Sequence, residues 1–293
     1  MHCMRQVFLF PEGYCLKSVL ISHGWSGLAP FQVAQDYQSV KFGFLGHGKP
    51  THIQIKQDQN QFIVHAGRNL SKVEIGTIEW MFGINSNLKK FYQMAKQHGR
   101  PWIQKNKMGR LMRSETVFED LIKLILTTNC TWGLTKKMVS DLCMRLGEKF
   151  ENFHCFPKPE MIAKKNEEFF KTKVKVGYRA PYLIQISKMV ASGNLDIEAW
   201  KTDHHSYEEL KKEILSLPGA GPYVAENLLR LLGKFDGLGV DSWVRGQLQK
   251  RWNSKKQPDS KTILKKYKQF EEYKGLILWC DVTRSWYEGQ RKL

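Results

Sequence analysis

SYEELKKEILSLPGAGPYVAENLLRLLGKFDGLGVDSWVR, which spans residues 206–245, is the stretch of sequence that decides the fold. Residues 206–216 place apolar side chains among charges at the spacing of a short helix with one buried face. The residues LPGAG at 217–221 break this pattern, and Pro222 suits the first turn of a second helix that stops at Gly233. The stretch therefore predicts two helices joined by a Gly-x-Gly hairpin.

The hairpin has a physical use beyond turning the chain. Gly219 and Gly221 permit positive φ angles and let a ligand approach the backbone closely, while the following helix start offers unpaired N–H groups and a positive dipole end. These features favour an anion, and in a basic protein the natural anion is a nucleic-acid phosphate. A tight helix–helix turn explains the same five residues equally well.

Asp241 follows the hairpin after a short loop. The loop GLGV at 237–240 leads to Asp241, and a new helix is predicted from Ser242 onward. An aspartate in this place is by itself well explained as a helix N-cap. At this distance from an LPGxG hairpin it has a second interpretation, which depends on a family resemblance.

Three segments of the chain follow one another in a known order and spacing. They are FEDLIKLILTTNCTW at 118–132, GYRAPYL at 177–183, and LPGAGPYVAENLL at 217–229 followed by VDSWVR at 240–245. Together they resemble the helix-hairpin-helix (HhH-GPD) DNA glycosylase superfamily, in the branch of bacterial 3-methyladenine DNA glycosylase II and 8-oxoguanine DNA glycosylase. The resemblance is specific over residues 114–250 and looser on either side.

The resemblance implies that Asp241 is the catalytic residue of a base-excision-repair enzyme. In this superfamily an essential aspartate after the hairpin stabilises the positive sugar that forms as the base departs, and it helps to orient the nucleophile. The logic is that of glycoside hydrolysis, in which an oxocarbenium-like transition state faces a fixed negative charge. The target nucleotide must first be flipped out of duplex DNA.

The predicted fold class is α+β. The resemblance implies an N-terminal TATA-binding-protein-like α/β module, followed by an all-α, two-lobed helix-hairpin-helix glycosylase fold. A basic, irregular connector places the domain boundary between residues 112 and 113. The prediction is a mixed strand and helix domain at 1–112 and an all-helical glycosylase domain at 113–293, with the hairpin helices at 206–233.

Local patterns predict the elements of the first domain. Alternation at 51–56 and 61–65 predicts a β-hairpin, and residues 14–22 and 39–44 are weaker strand candidates. Two helices are predicted at 72–82 and 88–98, behind Ser71 and Asn87 as caps.

A glycosylase must fill the gap that the flipped nucleotide leaves in the duplex. In the 8-oxoguanine branch an asparagine after the buried helix does so, and a Tyr-Arg pair wedges beside the unpaired base; the matching residues are Asn129, Tyr178 and Arg179. The residues alone also fit a simpler interpretation, in which Asn129 caps the next helix and Tyr178 packs against its neighbours. The predicted DNA-binding residues are Asn129, Tyr178, Arg179, Gly219, Gly221 and Arg245.

Position 223 decides the predicted chemistry. Bifunctional members of the family place a lysine two residues after the last hairpin glycine, and its amine forms a Schiff base that permits strand cleavage. Here the residue is Tyr223, and a phenol cannot form the imine. The monofunctional alkylbase enzyme has an aromatic residue there that stacks on the extruded base, and a cationic alkylated purine favours such a π face. Tyr223 in place of the lysine therefore predicts hydrolysis by water.

Four residues form the predicted base pocket. Asn227, one helical turn after Tyr223, faces the same pocket, although the alkylbase enzyme has an aromatic residue there, which weakens the substrate inference. Trp132 and Trp243 are further candidates, against the simpler interpretation that a Trp belongs to the core. The predicted pocket residues are Tyr223, Asn227, Trp132 and Trp243.

Three functions fit the sequence. The first is a monofunctional DNA glycosylase that removes alkylated purines such as 3-methyladenine. The second is an 8-oxoguanine-type glycosylase with AP-lyase activity from a lysine elsewhere, such as Lys234. The third is a non-catalytic damaged-DNA or RNA-binding protein that kept the hairpin.

Charge and composition restrict the partner. The chain has 293 residues and a net charge of +18, which points to a polyanion, and the predicted partner is double-stranded damaged DNA bound by a monomer. An RNA-binding protein shares such a charge excess, so charge alone does not choose. No run of 18 apolar residues predicts a membrane span, and the first residues do not have the pattern of a secretory signal.

Cysteine usage bears on the compartment and on cofactors. The six cysteines are scattered, which favours free thiols in a reducing compartment: the cytoplasm or nucleoid of a bacterium, or the nucleus or an organelle of a eukaryote. Some members of the superfamily bind an iron–sulfur cluster through four cysteines after the catalytic aspartate. Only Cys280 follows Asp241, so no cluster is predicted. The resemblance implies a structural monovalent cation at the carbonyls of 217–221, and no metal held by side chains.

Overall fold

A computed structural model describes residues 4–9, 13–59, 61–202 and 204–290 of the chain. Two compact units make up the protein, and each is built from two separate segments. The first unit joins Met1–Ser86 to Arg110–Asp203, and the second joins Asn87–Gly109 to His204–Leu293. Both units therefore draw on sequence from either side of the connector near residue 110.

The first unit contains a five-stranded antiparallel sheet in the order β1-β5-β4-β3-β2. Alternation gives the sheet one well-buried face: Phe42 lies opposite Ile53 in the register, and its ring contacts that of Phe82. The strands are β1 Met4–Leu9, β2 Gln32–Val33, β3 Ser39–Phe44, β4 Thr51–Asp58 and β5 Gln61–Ala66.

Helices form most of the remaining structure. Across the described residues, no helix is both long and apolar enough to cross a membrane. In chain order the helices are α1 Leu16–Leu20, α2 Lys72–Met81, α3 Lys89–Gln97, α4 Pro101–Lys105, α5 Val117–Thr127, α6 Trp132–Leu146, α7 Pro159–Ala163, α8 Glu167–Phe169, α9 Ala180–Ala191, α10 Tyr207–Leu215, α11 Pro222–Leu231, α12 Ser242–Arg251, α13 Ser260–Tyr267 and α14 Lys274–Ser285.

The structure confirms the α+β class and most predicted elements. The predicted β-hairpin is present as β4 and β5, and α10, α11 and α12 occupy the stretch around the Gly-x-Gly hairpin. Ser71 caps α2 and Ser206 caps α10, each in a capping box with the glutamate three residues later. Local start signals therefore located these helices correctly.

Two predictions of secondary structure are wrong. Residues 14–22 contain helix α1 in place of a strand, because Leu16, Val19 and Leu20 share one buried helical face. The segment 113–293 is not entirely helical, since a small antiparallel sheet pairs β6 Lys149–Phe150 with β7 Phe153–His154.

Helix α5 is buried on nearly every side, as its apolar pattern predicts. It also buries three charged residues, Glu119, Asp120 and Lys123. Lys123 Nζ lies 2.5 Å from Glu119 Oε1, and Asp120 Oδ1 accepts a hydrogen bond of 2.6 Å from Trp25 Nε1. Burial raises the pKa of both carboxyl groups, and the ammonium of Lys123 opposes that rise. Because buried charges need partners, these contacts fix the position of α5 within the unit.

The second unit is organised around the buried carboxylate of Asp281 on α14. Arg100 donates to it through Nη2 at 2.9 Å, and the hydroxyl of Tyr267 donates at 2.8 Å. Arg251 Nη2 lies 3.3 Å from its other oxygen. These bonds join α12, α13 and α14 to the segment that precedes α4.

The helices between residues 87 and 109 accordingly pack with the C-terminal helices. The ring of Phe91 on α3 contacts that of Tyr273 at a centroid distance of 5.7 Å, and Arg100 lies over the ring of Phe270 at 4.5 Å. The boundary expected between residues 112 and 113 follows a change in composition and not this packing, and it stays a prediction.

Glu74 on α2 is a strongly held carboxylate of the first unit. Its side chain is 5% exposed, and Arg68 Nη2 lies 2.6 Å from Oε1. The backbone N–H of Ser71 donates to Oε2 at 2.8 Å. The hydrogen bond from Arg68 is the main cause that lowers the pKa of Glu74 to about 2.

We predict that Glu74→Gln lowers the free energy of unfolding by about 2 kcal/mol at neutral pH. A carboxyl with a pKa of about 2 when folded, against 4.5 when unperturbed, stabilises the fold above pH 4.5 and loses that contribution as the pH falls toward 2. The difference in unfolding free energy between wild type and variant should therefore shrink over that window in urea titrations. Glu160→Gln, at an exposed carboxylate of α7, is the control, and a difference independent of pH for Glu74→Gln would contradict the assignment.

Candidate active site

The helix-hairpin-helix lies wholly within the second unit. The backbone N–H of Ala220 donates to the Leu217 carbonyl at 3.1 Å and closes the turn between α10 and α11. Pro222 is the first residue of α11, where a missing N–H is no loss. Among the described residues no side chain caps this helix start, an arrangement that suits an anion at the helix N-terminus.

The two hairpin glycines differ in conformation. Gly219 has a φ of 76°, the left-handed region that favours glycine, as predicted. Gly221 has a φ of −80°, which any residue adopts, so this position does not use the positive φ that glycine permits. Nothing lies within 4 Å of a Cβ built at Gly221, and its backbone is therefore open to close approach.

Asp241 is the N-cap of α12. Its Oδ1 accepts a hydrogen bond of 2.7 Å from the Val244 N–H, which fixes the carboxylate at the helix start. Among the described residues, none hydrogen-bonds to Oδ2. The side chain is half-buried, so one oxygen orients the group while the other remains available for chemistry.

Glu226 of α11 lies against the loop that precedes Asp241. Its Oε2 accepts a hydrogen bond of 2.6 Å from the hydroxyl of Tyr207, and Lys211 Nζ lies 2.7 Å from Oε1. Burial and this carboxylate raise the pKa of Tyr207. A Cβ at Gly237 would collide with Glu226 and Tyr207, so only glycine lets the loop lie against this cluster.

Arg230, one turn further along α11, holds the same loop at a second point. Its Nη2 donates to the Leu238 carbonyl at 3.0 Å, and its Nη1 donates to Asn227 Oδ1 at 2.9 Å. The guanidinium lies over the ring of Trp279 at 5.1 Å. Burial lowers the pKa of Arg230, and the neighbouring charges of Glu226 and Asp241 oppose that change.

Three tryptophans form an aromatic cluster beside the start of α12. The ring of Trp243 lies 5.8 Å from that of Trp279 and 5.7 Å from that of Trp286, measured between centroids. Trp243 remains 38% exposed. The cluster braces Trp243 from one side and leaves part of its indole open to a ligand.

A cavity of about 860 Å³ opens beside the hairpin within the second unit. Tyr223 and the loop at 236–240 form one part of its wall, and Leu264 of α13 forms another. Asn227, Trp243 and Asp241 are not among the lining residues, so the structure places one of the predicted pocket residues in this wall. The volume is in the range of a small-molecule site.

The first unit brings Asn129 and Tyr178 together. Asn129 follows α5 with a φ of 48°, and its Nδ2 donates to the Tyr178 hydroxyl at 3.2 Å. Thr131, not Asn129, caps α6. Tyr178 is 51% exposed, and its hydrogen bonds to Thr128 and Asn129 lower its pKa. Neither residue is therefore explained as a cap or as a core side chain.

Arg179 supports this pair from beneath. It is 4% exposed, and it donates to the Thr128 carbonyl through Nη2 and to the Val176 carbonyl through Nη1 at 3.1 Å. Its guanidinium also lies 4.6 Å from the centre of the Tyr178 ring. The guanidinium thus has hydrogen-bond partners in the protein backbone, and the expected contact of Arg179 with a base stays a prediction.

Trp132 and Arg245 also have protein partners. Trp132 begins α6 and lies on Gly24, where a Cβ would collide with the indole, and it is 38% exposed. Arg245 Nη2 donates to Ser260 Oγ at 2.8 Å, and Nη1 donates to the Pro258 carbonyl. The Arg245 side chain therefore ties the loop after α12 to that helix.

The described residues contain no group of three or more His, Cys, Asp or Glu side chains placed to hold a metal ion. The oxygens available for a cation at the hairpin are the backbone carbonyls of 217–221, of which Leu217 already accepts a hydrogen bond. Carbonyl oxygens suit a hard cation, and the predicted monovalent cation stays a prediction.

Sequence reasoning missed the two charged residues of α11. Glu226 and Arg230 stand four residues apart in ENLLRLL, among side chains that are buried. A charge inside an apolar helix was the available signal, because such a charge needs a partner.

The chain is similar to known proteins in sequence. A family model described as "HhH-GPD superfamily base excision DNA repair protein" matches residues 122–272. A protein of Methanothermobacter thermautotrophicus named "Probable N-glycosylase/DNA lyase" is 27% identical over 193 residues, which are 57% of this chain and 61% of that protein. The chain covers between 54% and 61% of the length of the curated relatives that it matches.

Solved structures share the fold. The 8-oxoguanine glycosylase/lyase of Clostridium acetobutylicum in its apo-form matches with a TM-score of 0.75 at 16% identity, over 96% of this chain and 98% of that one. The 3-methyladenine DNA-glycosylase of Archaeoglobus fulgidus matches with a TM-score of 0.72 at 17% identity, over 97% and 98%. Because the family model covers more than half of the sequence, including the hairpin and Asp241, this chain belongs to the HhH-GPD superfamily of base excision DNA repair proteins.

Proposed function

We propose that this protein is a monofunctional DNA glycosylase that flips an alkylated purine from duplex DNA and hydrolyses its N-glycosidic bond. The observation that carries the proposal is the carboxylate of Asp241, fixed through Oδ1 at the start of α12 and preceded by the Gly-x-Gly hairpin. Membership in a base excision repair family supports the reaction class.

The proposed chemistry follows from charge. As the bond to the base breaks, positive charge develops on the sugar, and a fixed carboxylate stabilises it without having to reorganise. The N–H of Val244 holds Oδ1 in place, so Oδ2 is the oxygen that faces the sugar and orients the attacking water. A cationic alkylated purine is a good leaving group, which suits a site with a single catalytic carboxylate.

The absence of an amine at position 223 supports hydrolysis. Tyr223 occupies the place of the nucleophilic lysine in bifunctional members and lines the cavity beside the loop. Lys234, the alternative amine, donates to the His205 carbonyl and is not among the cavity-lining residues. Lys211 lines the cavity, and its ammonium pairs with Glu226.

The second candidate function is an 8-oxoguanine-type glycosylase with AP-lyase activity. The name of one relative favours it, since the M. thermautotrophicus protein is named an N-glycosylase/DNA lyase. Lys211 and Lys274 both line the cavity with Tyr223, and either would have to supply the amine. A non-catalytic DNA or RNA binder is the third candidate.

DNA binding in the proposal uses both units. In the first unit, Asn129 would enter the duplex with Tyr178 stacked beside the unpaired base, while Arg179 holds the turn. In the second unit, the amides at Gly219 and Gly221 would bind a phosphate, and Tyr223, Asn227 and Trp243 would contact the extruded base. We further propose that the N-terminal sheet forms a TATA-binding-protein-like module and that the enzyme acts as a monomer.

A basic segment at 250–268 extends the proposed DNA surface. It contains eight Lys or Arg residues and one acidic residue, Asp259, and its lysines are exposed. Arg245 ties this segment to α12, and Ser260 and Leu264 line the same cavity as Tyr223. Lysines placed here would therefore lie close to the DNA strand that enters the site.

We predict that Asp241→Asn lowers the rate of base release at least 100-fold while duplex binding changes little, because the amide still caps α12 but carries no charge. Single-turnover release of 7-methylguanine or 3-methyladenine from a defined duplex measures the rate. Asp259→Asn is the matched control, since Asp259 also caps a helix by accepting a hydrogen bond of 2.7 Å, there from the Thr262 N–H. Equal rates for wild type and Asp241→Asn would remove the carboxylate from the mechanism.

We predict that the product of the wild-type enzyme is an intact abasic strand that breaks only after alkali treatment. Borohydride added during the reaction should trap no covalent adduct, because Tyr223 cannot form an imine. A bifunctional glycosylase/lyase run in parallel provides the positive control. A trapped adduct that disappears in Lys211→Ala or Lys274→Ala would establish the second candidate function.

We predict that neutralising Lys255, Lys256 and Lys261 with Gln weakens binding to undamaged and damaged duplexes alike. The slope of log Kd against log salt should fall by about 0.9 for each phosphate contact that is lost. The same substitutions at Lys89, Lys90 and Lys96 on α3 remove equal charge from the same unit and serve as the control. If both triple variants change the slope equally, the basic segment has no special place in binding.

A further inference from the structure

Arg230 is a buried charge that the proposed reaction does not use directly. It is 5% exposed and lies between the buried leucines of α11. Burial of a guanidinium among apolar side chains is costly unless its donors are bonded. Its hydrogen-bond partners therefore indicate why an arginine occupies this position.

Both terminal nitrogens of Arg230 are bonded to groups next to the candidate site. Nη2 donates to the Leu238 carbonyl at 3.0 Å, and Nη1 donates to Asn227 Oδ1 at 2.9 Å. Nε has no hydrogen-bond partner among the described residues. A guanidinium with one donor unsatisfied is a poor choice for core stability alone, and the two bonds that it makes are the functional candidates.

The hydrogen bond to the Leu238 carbonyl restrains the loop immediately before Asp241. Gly239 has a φ of 57°, and a Cβ there would collide with Arg230 Nη2, so the backbone runs directly against the guanidinium. Three peptide bonds separate the anchored carbonyl from the Asp241 backbone. A carbonyl fixed at this distance restricts where the chain can enter α12.

The bond to Asn227 fixes the orientation of a second residue. Because Nη1 is a donor, Asn227 must turn its oxygen toward Arg230, and its Nδ2 donates to the Tyr223 carbonyl at 2.8 Å. One side chain of α11 thus sets both the Asn227 amide and the loop that carries Asp241.

We propose that Arg230 is a positioning residue for Asp241, which it orients by holding the Leu238 carbonyl while it locks the Asn227 amide. This inference rests on the proposed function, since it requires that Asp241 acts on the substrate. Arg230 itself lies beneath the loop and need not touch DNA. Its contribution to the rate comes from keeping the carboxylate aimed at the sugar.

A purely structural role makes a different prediction. Replacement of a buried charge by an apolar side chain of similar length is often neutral or stabilising for a fold. If Arg230 only packs the core, Arg230→Met should leave the rate of base release unchanged or should change rate and stability together. If it positions Asp241, the rate should fall while the melting temperature is maintained.

The first experiment compares Arg230→Met and Arg230→Lys with wild type, on a duplex with a single 7-methylguanine or whichever lesion the wild type releases. We expect the single-turnover rate constant of Arg230→Met to fall by about 10- to 100-fold with Kd for the duplex within about threefold. Arg230→Lys, which keeps one donor and the charge, should recover part of the loss. Arg284→Met, which removes an arginine from the surface of α14, is the control and should retain the wild-type rate.

A double-mutant cycle then tests whether Arg230 acts through Asp241. In the Asp241→Asn background, the Arg230 substitution should have no further effect on the residual rate, because the group that it positions is gone. Equal losses in both backgrounds would overturn the inference. If Arg230→Met does not fold, as judged by circular dichroism, Arg230→Lys completes the same cycle. Failure of the wild type to release any base would instead refute the proposed function, so the two failures are distinguishable.

Discussion

The carboxylate of Asp241 is useful only if the loop before it does not move, because electrostatic stabilisation works when the charged group is already in place. Two side chains on one face of α11 meet this requirement. Glu226 lies against Gly237, and Arg230 donates to the carbonyl of Leu238, the next residue of the loop. The glycines leave the space that Cβ atoms would fill, so the loop approaches the helix closely and has little freedom left.

The first unit uses a related arrangement at its own candidate contact. Buried Arg179 donates to the Thr128 carbonyl, directly before Asn129, in the way that buried Arg230 donates to the Leu238 carbonyl in the loop before Asp241. In each unit a guanidinium beneath the surface holds a backbone carbonyl, and a short polar side chain above it is presented to solvent. The planar, multiply donating guanidinium suits this task better than a single ammonium would.

Much of the fold was predictable because its signals are local. Capping boxes at Ser71 and Ser206, proline at the first position of α11 and the alternation of β4 and β5 depend on a few neighbouring residues. The N-cap interpretation of Asp241 was also local, and the structure confirms it. The proposed catalytic role is compatible with the cap, because the cap uses only Oδ1. The strand expected near residue 16 was wrong because a short apolar run fits either element until packing decides.

The contacts of the long side chains were not predictable, since they depend on which parts of the chain meet. Arg179 and Arg245 were assigned to DNA from their place in motifs, which do not reveal the hydrogen bonds that both make to nearby backbone carbonyls. Conversely, Arg230 was overlooked because the motif does not require an arginine there. A charge embedded between leucines costs free energy in any fold, so its presence in the sequence already indicates a bonded partner. Departures from an apolar pattern are therefore the more informative guide to a site than the motif residues themselves, because each departure has a cost that some specific contact must offset.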